Sequence, residues 1–305
     1  MPTVYLDHNI VHYFVRGFPK SDLTERAALS CATGAFPKLR FTVSDWNLVE
    51  PCWEDDKNLG QLKLIDRYAT FLEALRPLYL PTVLEIKRAE MARLVFKTLG
   101  YTDIPSVHVF NETFSQARVV SGLSKVLLGF NAGDFMRYLV LHPAELQQYR
   151  IGQRKVLEAQ LTIQRARETG KDKDRDIRKQ IWRQWFESML PERGPDNRFI
   201  PRPKLQPLLD QFTADPEIVL TECPAIRAES LLSDARASTG GRNPQMSDAI
   251  DLMHSVPVLA YCDAFVCNDR FVRECSKRVL QKTKRSLVVD SSLRNCLDAL
   301  GIDVT

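Results

Sequence analysis

Short apolar runs at both ends of the chain, each leading into a helix-patterned segment, constrain the fold more than any other feature. At the N-terminal end these runs are "TVYL" (3–6) and "LRFTVS" (39–44); at the C-terminal end they are "DAFVCND" (263–269) and "SLVVDSS" (286–292). Strands this short and this continuously apolar belong in a parallel sheet covered by helices on both faces, where neither side of the strand meets water. The segments that follow them carry the matching helical spacing. "NIVHYFVRG" follows the first, "SDWNLVEPCWED" the second, "DRFVRECSKRVLQK" the third and "LRNCLDALG" the last. A further helix is expected in "KSDLTERAALSCATGAF", capped by Ser21 or Asp22, and Pro51 is expected to bend or end its helix early.

Between the two ends, residues 58–240 read as almost entirely helical. "NLGQLKLIDRYATFLEAL", "TVLEIKRAEMARLVFKTLG" and the stretch 143–169 are amphipathic at helical spacing, and "PERGPDNRFIPRPK" (191–204) is a Pro- and Arg-rich loop. The expected architecture is therefore one discontinuous α/β domain, built from 1–57 and 241–305. A large all-helical insertion, 58–240, interrupts it. That insertion is partly basic: 151–204 holds 14 Lys and Arg against 8 Asp and Glu, a surplus larger than the +4 of the whole chain. "RQWFESML" and "RFIPRPK" interleave aromatics with cations, which suits base stacking beside phosphate contacts. Trp182 and Trp185, three residues apart, fit a core or a partner-facing surface more readily than a stacking platform.

Composition excludes several classes. With 44% apolar and 26% charged residues and no run of about eighteen apolar residues, a membrane span is not expected. The start of the chain lacks a basic stretch followed by an apolar one, so no secretory signal is expected. The seven cysteines are odd in number and contain no CxxC pair, which favours reduced thiols, a cytoplasmic location and no structural zinc.

Four acids stand where strand ends should be. Asp7 directly follows the first run, Glu50 lies six residues past the second, Asp251 is on the helix before the third, and Asp269 directly follows the "AFVCN" of the third. Ligands of open parallel sheets bind at the carboxyl ends of the strands. A carboxylate cluster there would hold a hard divalent cation such as Mg²⁺ or Mn²⁺. Such an ion lowers the pKa of a bound water and neutralises charge on a phosphodiester. Taken singly, each acid has a plainer role. Asp7 or Asp269 alone is more often a helix cap, and Glu50 alone a solvated helix residue. Asp248 suits a cap or first-turn position. Asp251 shares its helix face with Asp248 and His254. His254 packs in a core or bonds a carbonyl about as often as it meets a phosphate. Asp263, at the other end of its strand, suits the strand entrance.

In their joint order these residues resemble a PIN-domain nuclease. Asp7-His8-Asn9 is similar to the Asp-x-Asn/Ser that closes the first strand in that family. Ser44 through Glu50 matches its Ser/Thr-led helix carrying a Glu. Asp251 stands eighteen residues before Asp269, and "VCNDRFV" matches Thr/Ser-x-Asp-x-x-Phe. The matching segments are roughly 1–57 and 243–300. His8 and Cys267 depart from the pattern, since small hydroxyl residues are usual at both places, and minimal PIN domains are about half this length.

The resemblance implies a PIN-like, Rossmann-like sheet and a metal-dependent endoribonuclease. It makes Asp7, Glu50, Asp251 and Asp269 the metal and catalytic residues, converging within reach of bound Mg²⁺ or Mn²⁺. Asn9, Asp248, His254 and Cys267 would stand behind them or meet substrate. RNA is the implied partner, with an antitoxin or other regulatory protein where the chain acts as a toxin or phage-defence effector. A homo-oligomer is compatible with this picture. A structure-selective DNA nuclease on the same fold, and a catalytically weak RNA- or protein-binding scaffold, are the alternatives.

Overall fold

A computed structural model describes residues 1–16, 23–35, 38–53, 60–118, 130–168, 175–238 and 246–303. The chain opens with β1 (Thr3–Leu6), α1 (His8–Arg16), α2 (Leu23–Gly34), β2 (Arg40–Val43) and α3 (Asp45–Val49). Pro51 lacks the N–H that would continue α3, and Glu50–Trp53 tightens into a 3₁₀ turn. Next come α4 (Gln61–Leu75), β3 (Leu78–Tyr79), α5 (Val83–Thr98), α6 (Phe114–Arg118), α7 (Ala132–Leu141) and the long α8 (Pro143–Glu168). Helices α9 (Arg175–Glu187), α10 (Arg202–Ala214), α11 (Glu217–Glu222) and α12 (Pro224–Ala237) follow. The chain ends with α13 (Met246–Tyr261), β4 (Ala264–Val266), α14 (Arg270–Thr283), β5 (Val288–Asp290) and α15 (Leu293–Ala299). Among the described residues, no helix is long and apolar enough to cross a membrane.

The five strands form one all-parallel sheet in the order β3-β2-β1-β4-β5. The expected parallel sheet drawn from both chain ends is therefore present. The expectation that 58–240 is all helical is corrected at β3, which supplies an edge strand from inside that stretch. Its two residues lie in "PLYLP", too short for a period-two pattern to stand out between two long helices.

Side chains alternate across the sheet as the pleat requires. Val4 and Leu6 of β1, Phe41 and Val43 of β2, and Ala264 and Val266 of β4 face one core. They pack there with Leu64, Ile65 and Tyr68 of α4 and with Phe135 and Met136 of α7. Tyr5, Phe265 and Cys267 face the other, against Ala228 and Leu232 of α12, Val256 and Leu259 of α13, and Val272 and Cys275 of α14. A third core, away from the sheet, joins α5, α9, α10 and α11 through Met91, Phe186, Phe212 and Val219. Trp182 and Trp185 stack beside Phe186 at its margin, with ring centroids 5.3 Å apart, which is the packing role expected of them.

The chain order turns around at β1. From it the sheet grows through β2 and β3 on one side and through β4 and β5 on the other. A crevice between the carboxyl ends of neighbouring strands opens at such a turning point. Asp7 directly follows β1 and Cys267 directly follows β4, and the Asp7 N–H donates to the Val266 carbonyl at 2.9 Å between them.

Candidate active site

Residues from widely separated segments meet at this edge. The Asp7 carbonyl accepts from the N–H groups of Ile10 and Val11, so its backbone begins α1. Its carboxylate does not cap the helix interior. One oxygen accepts from the His8 N–H at 2.9 Å, and the other accepts from the Cys267 thiol at 3.4 Å. Asp7 is 5% exposed, and burial, with Glu50 adding to it, raises its carboxyl above the usual range. Burial and then Asp7 push the Cys267 thiol upward, so it stays protonated and serves as a donor.

Asp251, on α13, is strongly perturbed. Burial pushes its carboxyl up to about 8, and Asp7 and Asp269 add to that, while Arg236 and His254 oppose it. Asp269 is the N-cap of α14, accepting from the Val272 N–H at 3.0 Å through one oxygen. It therefore fills the capping role expected of a lone Asp while lying close enough to repel Asp251.

Glu50 turns toward imidazoles. Its Oε2 lies 3.1 Å from His254 Nε2 and 3.7 Å from His8 Nδ1. Burial works against the charged form, but His8 and His254 hold Glu50 below its ordinary value. Because a carboxylate only accepts, the contact places a proton on His254 Nε2. The other nitrogen of His254 bonds the Tyr5 hydroxyl and lies 3.1 Å from Ser44 Oγ, and Tyr5 and Ser44 are 2.9 Å apart. The Ser44 N–H donates to the Asn47 side chain, and Asn47 in turn donates to the Leu6 carbonyl at 3.1 Å. A buried polar group needs such partners, and here they tie β1, α3 and α13 to one imidazole.

The nine residues weighed in the sequence divide as follows. Asp7, Glu50, Asp251, Asp269, His254 and Cys267 gather at the edge and interact with one another. Asn9 is exposed on α1. Asp248 lies on the first turn of α13, and its side chain falls outside those described. Asp263 accepts from the Thr3 N–H and hydroxyl at the opposite end of the strands, as expected of a strand-entrance residue.

Sequence reasoning missed Tyr5, which reads as one more apolar strand residue. It also passed over His8, which registers only as a departure from a pattern. His8 is 8% exposed and stacks on Tyr68 with an interplanar angle of 9°. The available signal was the Tyr5 position itself, since a buried phenol needs a partner for its hydroxyl.

Among the described residues, no three His, Cys, Asp or Glu side chains are drawn together closely enough to ligate one ion. In kind, the donors suit a hard cation. Asp7, Asp251 and Asp269 offer carboxylate oxygens, and mutual repulsion suppresses charge that a bound cation would release. Glu50 departs from that pattern, being already engaged by two imidazoles. Comparison with family models, curated proteins and solved structures finds no match.

Proposed function

We propose that the chain is a PIN-like, divalent-cation-dependent endoribonuclease, and that Asp7, Asp251 and Asp269 hold Mg²⁺ or Mn²⁺ at the turning point of the sheet. One observation carries this reading. Asp7, from the start of the chain, and Asp269, after β4, both act on Asp251 at the carboxyl edge of the sheet, and burial with this like charge lifts Asp251 to about 8. Strongly perturbed acids in a sheet crevice are candidates for chemistry rather than for stability.

A bound divalent ion supplies a water of lowered pKa and neutralises charge on the scissile phosphate. The chain's own residues do the positioning. Cys267 fixes one oxygen of Asp7, the His8 N–H fixes the other, and the Val272 N–H orients Asp269. His254, anchored by Tyr5 and Ser44, fixes the Glu50 carboxylate. Seven free cysteines, six of them buried, suit a reducing cytoplasmic setting. A toxin or phage-defence role, with a protein that restrains the nuclease, is consistent with the reading.

The decisive measurement is cleavage of single-stranded RNA and matched DNA in Mn²⁺ by wild type, Asp7→Asn and Asp251→Asn. RNA cleavage by the wild type is expected, with a loss above about 10³-fold in each variant, because the ion's charge stabilisation is worth several kcal/mol. Cleavage of DNA alone would move the reading to a DNA nuclease. The double hold of His254 and His8 on Glu50 favours one second reading, a catalytically weak RNA-binding scaffold. That reading takes over if the wild type cuts neither substrate.

A further inference from the structure

Helix α14 starts at Asp269, and its exposed face is basic. Residues 270–285 contain seven cations (Arg270, Arg273, Lys277, Arg278, Lys282, Lys284 and Arg285) and one acid, Glu274. That is a net +6 within sixteen residues, against +4 for the whole chain, so the rest of the molecule is net negative. Two of the seven serve the fold. Arg273 donates to the Cys267 carbonyl at 2.6 Å, and Arg285 donates to the carbonyls of Leu259 and Cys262. Arg270 pairs with Glu274 at 2.8 Å.

Arg270, Lys277, Arg278, Lys282 and Lys284 are all exposed. Arg270 and Lys277 stand two turns apart, Lys277 and Arg278 are adjacent, Arg278 and Lys282 are one turn apart, and Lys284 is the C-cap, so the cations run along the exposed side of the helix. The opposite face, Val272, Cys275 and Val279, is buried in the core. Three cations of the insertion are held in ion pairs. Arg183 pairs with Asp210 at 2.6 Å, Arg202 with Glu187 at 2.6 Å, and Arg198 with Asp196 at 3.5 Å.

We infer that the exposed basic stripe of α14, centred on Lys277, Arg278 and Lys282, is a track for the phosphate backbone of a single-stranded polynucleotide that enters the crevice beside Asp269. This inference rests on the nuclease reading for the direction of the strand but not for its binding. Charge complementarity is the first ground, since phosphate neutralisation supplies most of non-specific affinity. Continuity is the second. The stripe begins at the residue after Asp269, and α14 runs about 21 Å from there at 1.5 Å per residue, a length that spans several phosphates. An anionic membrane would also attract cations, but a helix that lies in a membrane needs its apolar face, and α14 has spent that face on the core.

The test is fluorescence anisotropy of a labelled oligouridylate in EDTA, where no divalent ion is present and cleavage does not interfere. The triple variant Lys277→Gln/Arg278→Gln/Lys282→Gln is expected to bind about tenfold or more weakly. The slope of log affinity against log salt should fall by about 2, as three phosphate contacts are lost from a single strand. The charge-keeping triple Lys277→Arg/Arg278→Lys/Lys282→Arg is expected to bind like wild type, and thermal midpoints should agree among all three proteins. An unchanged affinity and salt slope in the Gln triple overturns the track, as does binding to phosphatidylserine vesicles with none to the oligonucleotide. Hydrolysis of a small phosphodiester, bis(p-nitrophenyl) phosphate, by the wild type in Mn²⁺ reports on the acidic crevice separately. Binding with the expected salt slope but no hydrolysis keeps the track and removes the nuclease.

Discussion

Glu90 and Asp251 are both buried acids with raised carboxyl pKa values, yet their surroundings answer the charge in opposite ways. Glu90, on α5, is 2% exposed and accepts from the N–H groups of Ala225 and Ile226 at 2.8 and 3.3 Å, and from the Tyr261 hydroxyl. Those donors are the first turn of α12 and the last turn of α13, and Lys87 lies near enough to favour the ionised form. Every demand of that carboxyl is met from within the fold. Asp251 has Asp7 and Asp269 as neighbours, which add to its burial penalty, and Arg236 with His254 offsets only part of it. One acid is a joint between helices; the other is an acid whose ionised form the fold opposes, and which the proposed cation would answer.

The largest effect should come from breaking the joint. Glu90→Ala removes the acceptor from two N–H groups at the start of α12 and strands the Tyr261 hydroxyl in a buried site. The expected loss in urea unfolding is about 4 kcal/mol, the usual scale for deleting one partner of a buried polar network. Asp251→Ala should lose far less, because its neighbours repel it. Equal losses for the two variants would erase the contrast.

Next in size is a pH effect that belongs to Glu90. Burial moves its carboxyl from 4.5 to about 7 in the folded protein, against the hydrogen bonds that favour its charge. Below pH 4.5 both folded and unfolded chains hold the proton, and the stabilisation is fully present. As pH rises toward 7 the unfolded chain releases the proton while the folded one keeps it, so stability falls, by about 3 kcal/mol in total. Above 7 the contribution is gone and the curve is flat. Glu90→Gln keeps an acceptor for Ala225 but cannot titrate. Subtracting its stability profile from that of wild type between pH 4.5 and 8 isolates the slope, and a flat difference would mean that Glu90 is ionised throughout.

The same contrast explains what was legible in the sequence. Asp7 and Asp269 could be found because parallel strands bring their carboxyl ends to one edge, so an acid just past an apolar run has a predictable place. Asp251 was singled out through the resemblance, whose motif order puts an acid about eighteen residues before Asp269. Glu90 carried no signal, since it sits in an amphipathic helix like any solvated Glu and its partners are 135 and 171 residues away. His254 was visible as a His on the right helix face, but its hold on Glu50 depends on Tyr5 and Ser44, whose polar atoms meet only once the sheet forms. Strand β3 stayed hidden because two residues carry no period, and its place in the sheet is fixed by Thr42 and Val43 beside it.

The smallest effect tests the open half of the comparison directly. If the crevice is a cation site, Mn²⁺ binds the folded chain and not the unfolded one, and at a hundredfold excess over the dissociation constant it stabilises wild type by about 2.7 kcal/mol. Asp251→Asn removes a carboxylate oxygen and a negative charge, so its thermal midpoint should respond much more weakly to the same Mn²⁺ concentration. Glu90→Gln should respond as wild type does, because its carboxyl is occupied by the chain's own donors. This readout needs no substrate and no turnover. A variant at Asp251 that gains as much from Mn²⁺ as wild type would show that its carboxylate meets no cation. Asp251 and Glu90 would then be two structural acids, differing only in how well the fold satisfies them.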